Sequence, residues 1–243
     1  MSKKNTKQKN PTFIIMKREL KSYFSGPIGY IVTGLFLIIS GFIFFSTFFL
    51  QNRAELRSFF GLLPVLLSFF VPALTMRIFA EEKRVGSIET LMTLPVTETN
   101  VVTGKFLAAF IETLVMLAPT LFYVLAAEIF GEPDYGPIIG GYIGAIFLCA
   151  CFVSIGLFAS SATKNQIIAF FVGCVICIVL TMIDAFLILF PASIVKALSF
   201  LSADIHFSSI AKGIIDTRDL LYFISLGSLF FVLTVKIQQQ AKK

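Results

Sequence analysis

Three carboxylates stand inside long apolar runs, where a charged group is expensive to hold: Glu112 and Glu128 in Phe106–Phe130, and Asp184 in Ile167–Phe190. An ionised side chain at the centre of a hydrocarbon layer costs at least about 2.5–3.5 kcal/mol, and such groups commonly handle an ion, a proton or a substrate. Glu128 and Asp184 fall near one end of their runs, where a side chain can snorkel to water. Glu112 falls about two turns inside the opposite end and is the residue with the chemistry for a substrate or proton path. The simpler reading of Glu112 is a hydrogen bond inside a helix bundle.

Four cysteines raise the question of a metal. Cys149 and Cys151 lie mid-way along one apolar run, Cys174 and Cys177 mid-way along the next, and thiolates suit Cu(I). Residues two apart on a helix project about 200° from each other, however, so Cys149 and Cys151 do not share a site. Cysteine is also an ordinary small buried residue. Packing is therefore the expected role, with no metal site, no cofactor and no disulfide at that depth. His206 is the single histidine and, in an outer loop, is expected to be solvated. A phosphate-binding loop needs G-x-x-x-x-G-K-[ST], with glycines that bring backbone N–H groups to the phosphates. Gly104-Lys105 is followed by Phe106 and has no glycine five residues before Gly104. No catalytic constellation is present, the chain is not expected to be an enzyme, and any ATP hydrolysis belongs to another chain.

The elements that must carry these residues are membrane helices. The 243 residues are 57% hydrophobic and only 14% charged, well under the one quarter charged of an ordinary soluble domain. About 20 apolar residues cross a hydrocarbon core of roughly 30 Å as a helix. Six stretches meet or approach that length: 28–50, 59–76, 106–130, 138–162, 167–190 and 220–235. Backbone groups in lipid must bond to one another, so each is read as a helix. The fold class expected is all-α, a polytopic membrane protein with six transmembrane helices filling 28–243. The first apolar run is too long for the h-region of a cleavable signal and reads as an anchor.

Fifteen of the 20 Lys and Arg fall in Met1–Pro27, Arg77–Lys105, Lys164 and the segment after Val235. Arg53, Arg57, Lys196, Lys212 and Arg218 fall on the other side. The positive-inside rule then places both termini and the Arg77–Lys105 loop in the cytoplasm, in a cytoplasmic (inner) membrane. Anionic inner-leaflet lipid accounts for the net charge of +6, and no nucleic-acid partner is expected.

Residues 1–12 are basic, polar and expected to be disordered. In 13–27, Phe13, Met16, Leu20, Tyr23 and Phe24 share one helical arc, while Ile14 and Ile15 spoil the polar face. This reads as an interfacial helix on membrane lipid, ending at Ser25-Gly26-Pro27. The Arg77–Lys105 loop is interrupted at Gly86 and Pro95. Thr97, with Asn100 three residues on, is placed to cap a short helix that runs into Phe106. In the outer loop Pro191–Asp219, Ile194, Ala197, Leu198, Leu201 and Ile205 share a helical face. Gly140 and Gly144 form a G-x-x-x-G step for close helix packing. Pro64, Pro72 and Pro119 are expected to kink their helices.

The run FAEEKRVGSIETLMTLPVTETNVVTGKFLAAF, Phe79–Phe110, resembles the region between the second and third helices of ABC-2 type permeases. An acidic-basic cluster (Glu81, Glu82, Lys83, Arg84), Gly86, Glu89, Leu94-Pro95 and Gly104-Lys105 recur there in that order. KRELKSYFSGPIGYI, Lys17–Ile31, and GLFASSATKNQIIAF, Gly156–Phe170, are similar to the permease of the gliding-motility ABC transporter and its relatives. Those relatives include permeases that process copper for nitrous oxide reductase maturation. The resemblance implies a permease that pairs with a second permease, the same chain or a related one, and with two copies of a separate ABC ATPase subunit. Export is the direction it favours. The ATPase-coupling element is then expected around Val96–Val102, with Glu81, Glu82, Gly86, Glu89 and Pro95 bracing it and Val96, Val101 and Val102 giving apolar contact. A non-transporting scaffold for motility or envelope machinery is the alternative, and it would need no ATPase socket.

Overall fold

The computed structural model describes residues 10–51, 56–86, 96–131, 133–189, 195, 199–214 and 216–241. Every regular element among them is helical. Six helices are long and apolar enough to cross a membrane: Pro27–Phe48, Arg57–Val85, Glu98–Phe130, Tyr135–Ala162, Gln166–Phe186 and Thr217–Gln240. Helix α1 (Pro11–Ser25) precedes α2 (Pro27–Gln51). The second span consists of α3 (Arg57–Thr75) and α4 (Arg77–Val85). The third is α5 (Glu98–Leu117), a 3-10 turn at Ala118–Thr120 and α6 (Leu121–Phe130). Then follow α7 (Tyr135–Ala162), α8 (Gln166–Met182) with a 3-10 turn at Ile183–Leu189, α9 (Ala203–Ala211) and α10 (Thr217–Ala241).

Local chemistry explains most of the boundaries. Short polar side chains cap four helix starts by accepting a backbone N–H. Thr97 takes that of Asn100 at 3.3 Å, Asp134 that of Gly136 at 3.1 Å, Asn165 that of Ile167 at 2.9 Å, and Ser202 that of Ile205 at 3.3 Å. Gly26 ends α1, with its N–H bonded to the Tyr23 carbonyl, and Pro27 opens α2, where a missing N–H costs nothing. Gly86 closes α4 in the left-handed region at φ 76°, which a side chain would strain. Pro119 lies in the 3-10 turn between α5 and α6, the interruption expected of it. Pro64 and Pro72 both lie within α3, which ends three residues after Pro72.

Helix α7 is the axis of the bundle. It packs against α3, α4, α5, α8, α9 and α10, and 72% of its apolar window is buried, against 17% for α2. Its glycines permit this. A Cβ placed at Gly140 would lie 2.2 Å from the Ile210 carbonyl oxygen, and one at Gly144 would lie 3.2 Å from the Phe207 ring. The G-x-x-x-G step therefore seats α9, a short helix between the fifth and sixth spans, rather than another span.

The register of α9 departs from the sequence expectation. Ile194, Ala197 and Leu198 lie outside the described residues, while Leu201 and Ile205 are exposed. The buried residues are instead Ala203, His206, Phe207 and Ile210. The Ser202 cap starts the helix in the register that turns Phe207 and Ile210 onto the glycines of α7. Helix α1 departs in one respect: Ile15, expected on the polar side, is buried. The cause is Gly104 on α5, where a Cβ would lie 2.9 Å from the Thr12 carbonyl oxygen and 3.0 Å from Ile15. A helix with no side chain there admits Ile15 and so fixes the rotation of α1.

Candidate functional site

One end of the bundle gathers α1, α4, the start of α5 and the end of α7. At its centre Lys105 has no solvent exposure. Its Nζ lies 2.9 Å from Glu82 Oε1 and 3.2 Å from Glu19 Oε1. It also donates to the Ile78 carbonyl at 3.0 Å and sits 5.0 Å from the centre of the Phe79 ring. Arg18 Nη2 reaches the same two carboxylate oxygens, at 2.7 Å on Glu19 and 3.0 Å on Glu82. Two cations and two anions thus join three helices. Burying such charges costs several kcal/mol per ion, which only complete pairing offsets. Burial disfavours the Glu19 carboxylate, yet Lys105 and then Arg18 outweigh it and hold its pKa below the ordinary value.

The surroundings lock the same junction. Helix α4 has no cap of its own, since Met76 precedes it and offers no side-chain acceptor. Ser160 of α7 supplies one: its hydroxyl accepts the N–H groups of Phe79 and Ala80, at 3.0 and 3.1 Å, and donates to the Met76 carbonyl at 2.8 Å. Lys83 donates to the Ser161 carbonyl. Tyr23 of α1 donates to the Leu74 carbonyl of α3, and burial followed by the neighbouring Glu112 pushes its phenol well above the ordinary value. Between α1 and α4 lies a cleft of about 400 Å³ lined by Arg18, Glu19, Ser22, Arg77, Glu81 and Glu82, among others.

The residues singled out in the sequence fall unequally around this junction. Glu82 is in the ion network, and its second oxygen is buried without a hydrogen-bond partner among the described residues. Glu81 is 40% exposed and pairs with Arg77 at 3.3 Å. Gly86 ends α4. Glu89 and Pro95 lie outside the described residues. Thr97 caps a helix as expected, but that helix is continuous with the third span, and Val96–Val102 forms its lead-in and first turns. Val96 is half-buried, while Val101 and Val102 are buried within the chain. Both belong to the chain's own apolar core. In this chain they are therefore covered and not presented at its surface. Sequence reasoning missed Arg18, Glu19 and Ser160, placed Tyr23 only on the apolar arc of α1, and had Lys105 only within the Gly104-Lys105 step. The one signal was Lys105 itself, a lysine adjoining an apolar run.

Glu112 is only 4% exposed, and its Oε2 has no hydrogen-bond partner among the described residues. Its Oε1 would lie 3.1 Å from a Cβ on Gly29 of α2, so α2 approaches the carboxylate with a residue that leaves room for it. All four cysteines are buried and free.

At the other end of the bundle His206 is not solvated. It is 7% exposed, its Nδ1 lies 2.6 Å from Asp219 Oδ1, and its Nε2 lies 3.0 Å from the Phe200 carbonyl oxygen. Tyr222 stacks on the ring at 4.2 Å. Asp219 stands thirteen positions along and opens α10, so the pair fastens α9 to that helix. Glu128 is exposed and accepts from the Tyr135 hydroxyl at 3.1 Å. Burial, then the charge of Asp184, raises the Asp204 carboxyl to about 6.

A family model described as ABC-2 family transporter protein matches residues 3–197. No curated protein matches the chain.

Proposed function

This chain belongs to the ABC-2 family of transporter proteins, and from that membership, which makes it a multi-pass membrane permease subunit, we propose that it couples ATP hydrolysis on a separate ATPase subunit to export. The complex holds two ATPase copies and a second permease, the same chain or a related one. It sits in the cytoplasmic (inner) membrane with both termini in the cytoplasm. Its setting is that of the gliding-motility subgroup, a reading supported by the segments Lys17–Ile31 and Gly156–Phe170.

The observation that carries the coupling role is the ion network of Arg18, Glu19, Glu82 and Lys105. It clamps the interfacial helix, the charged helix α4 and the root of the third span into one body. A push on the Arg77–Lys105 loop then reaches α3 and α5 together instead of being absorbed by a flexible connector. The ATPase contacts are Glu81, Gly86 and Val96, at the rim of that body, together with Glu89 and Pro95 of the same loop, and Glu82, Val101 and Val102 stand behind as support. Glu112, deeper on α5, lies on the substrate or proton path.

The test is co-expression with the cognate P-loop ATPase, followed by purification in lipid. Val96→Asp and Glu81→Arg are expected to lose most of the co-purifying ATPase while the permease stays folded. Each exposed ion pair contributes only about 0–1 kcal/mol, so Val96→Asp should have the larger effect. Full co-purification and full ATPase stimulation by both variants would place the socket elsewhere. A folded permease that retains no ATPase under any condition would favour a scaffold.

A further inference from the structure

Two residues one turn apart on α1 meet two residues two turns apart on α5. Glu19 reaches Lys105, and Tyr23 reaches Glu112, with which its hydroxyl shares a hydrogen bond. A step of four residues on α1, or of seven on α5, returns a side chain to nearly the same face, so one seam carries both contacts. A Cβ on Gly29 would lie 3.1 Å from Glu112 Oε1 and 3.5 Å from Tyr23 Cδ1, so the carboxyl and the ring stand together against α2. Tyr23 also lines the cleft of about 400 Å³ between α1 and α4. Glu112 is not among the lining residues and is buried. The phenol therefore stands between the cleft and the carboxyl.

A count of protons then fixes the state of Glu112. A phenol has one proton to donate, and Tyr23 donates it to the Leu74 carbonyl of α3. The contact with Glu112 is then made only if the carboxyl donates and the phenol oxygen accepts. The nearby cations are already engaged. Lys105 spends its three protons on Glu82, Glu19 and the Ile78 carbonyl. Arg77 of α4, the other titratable group that faces Glu112, pairs with Glu81, and α2 presents only Gly29. Burying an unpaired carboxylate is costly, and the neutral acid avoids it.

We propose that Tyr23 is a positioning residue that holds Glu112 as the neutral acid and passes protons between it and the α1–α4 cleft. The Glu112 proton moves to the Tyr23 oxygen as the phenol's own proton leaves the Leu74 carbonyl for a water in the cleft. One proton enters the phenol as one leaves, giving a carboxylate and a hydronium ion, and the reverse steps reload the carboxyl. This rests on placing Glu112 on the proton path and adds how the proton reaches it.

Infrared spectra of the full chain in lipid nanodiscs, compared with those of Glu112→Gln, isolate the carbonyl stretch of a protonated carboxyl. The parent should show that band at neutral pH, and transfer to heavy water should shift it. Tyr23→Phe removes only the hydroxyl. It should move the band and slow its deuterium shift by roughly a hundredfold, the scale of one positioned acid–base group. A Tyr23 that merely packed would change neither. If Tyr23→Phe does not fold, Gly29→Ala is read instead: its methyl group crowds Oε1 and should displace the band with every hydroxyl in place. A parent with no such band would overturn the proposal, as would a band that ignores Tyr23→Phe or, in its stead, Gly29→Ala. Full substrate-stimulated turnover in Glu112→Gln, with the band behaving as expected, would keep the proton and its carrier and remove only Glu112's place on the transport path.

Discussion

Lys105 and Glu82 form an ion pair of 2.9 Å in which the lysine side chain has no exposure and the glutamate side chain has 17%. Such a pair is held in place by what surrounds it. Removing one partner leaves the other charge buried and unneutralised, whereas replacing both with apolar groups can be close to neutral.

Lys105→Met should therefore destabilise the chain by about 3–5 kcal/mol, because Glu19 and Glu82 keep only Arg18 as a counter-charge. Lys105→Met combined with Glu19→Leu and Glu82→Leu should recover much of that loss. Thermal unfolding in one detergent compares the three chains. A single variant that melts with the parent would show that the network contributes no stability.

Gly104→Leu should lift α1 from α5. A Cβ at this position already meets the Thr12 carbonyl oxygen at 2.9 Å, and overpacking of a tight contact costs about 1–3 kcal/mol. Protease cleavage within Pro11–Ser25 is the readout, and it should quicken several-fold. Gly104→Ala should show the same change in smaller measure.

Glu112→Gln keeps the shape and removes the ionisable group. If Glu112 lies on a substrate or proton path, assembly with the ATPase should be normal and substrate-stimulated turnover should fall at least tenfold. Unchanged turnover would reduce Glu112 to a packing residue beside Gly29 and Tyr23.

Asp204 gives a pH dependence of unusual sign. Its pKa rises on folding to about 6 from an ordinary value near 3.9. The folded state thus binds the proton more tightly. The stability this contributes is fully present below about 4 and is lost as pH rises through about 6. Because Asp204 is only half-buried, the effect should be on the order of 1 kcal/mol after solvent screening. Asp204→Asn should remove this component from a melting-temperature profile taken between pH 4 and 7. A parent profile with no greater fall than the variant's would refute the assignment.

The six spans, the break at Gly26-Pro27, the Thr97 cap and the Pro119 interruption were legible because each depends on nearby residues. Apolar length, a missing N–H and a short polar side chain act within a few positions. The rotations of α1 and α9 were not legible, because a glycine on another helix decides each: Gly104 for Ile15, and Gly140 with Gly144 for Ile210 and Phe207. His206 looked solvated because its partner Asp219 lies beyond the end of its own helix. Within the coupling region the motif residues were visible as a pattern. Their division into Lys105 and Glu82 at the centre and Val96 and Glu81 at the rim became visible only once α1 was seen to cross α5.

The cap that Ser160 places on α4 bears on biosynthesis. Phe79 and Ala80 leave the ribosome some 80 residues before the hydroxyl that accepts their N–H groups. Until α7 is made, water or the translocation machinery must satisfy that turn, and Arg77, Lys83 and Arg84 stand on a helix with no fixed start. A chain stalled before Ser160 would thus carry its charged loop unfinished. The fourth span thus completes the hydrogen bonds of a turn made some 80 residues earlier.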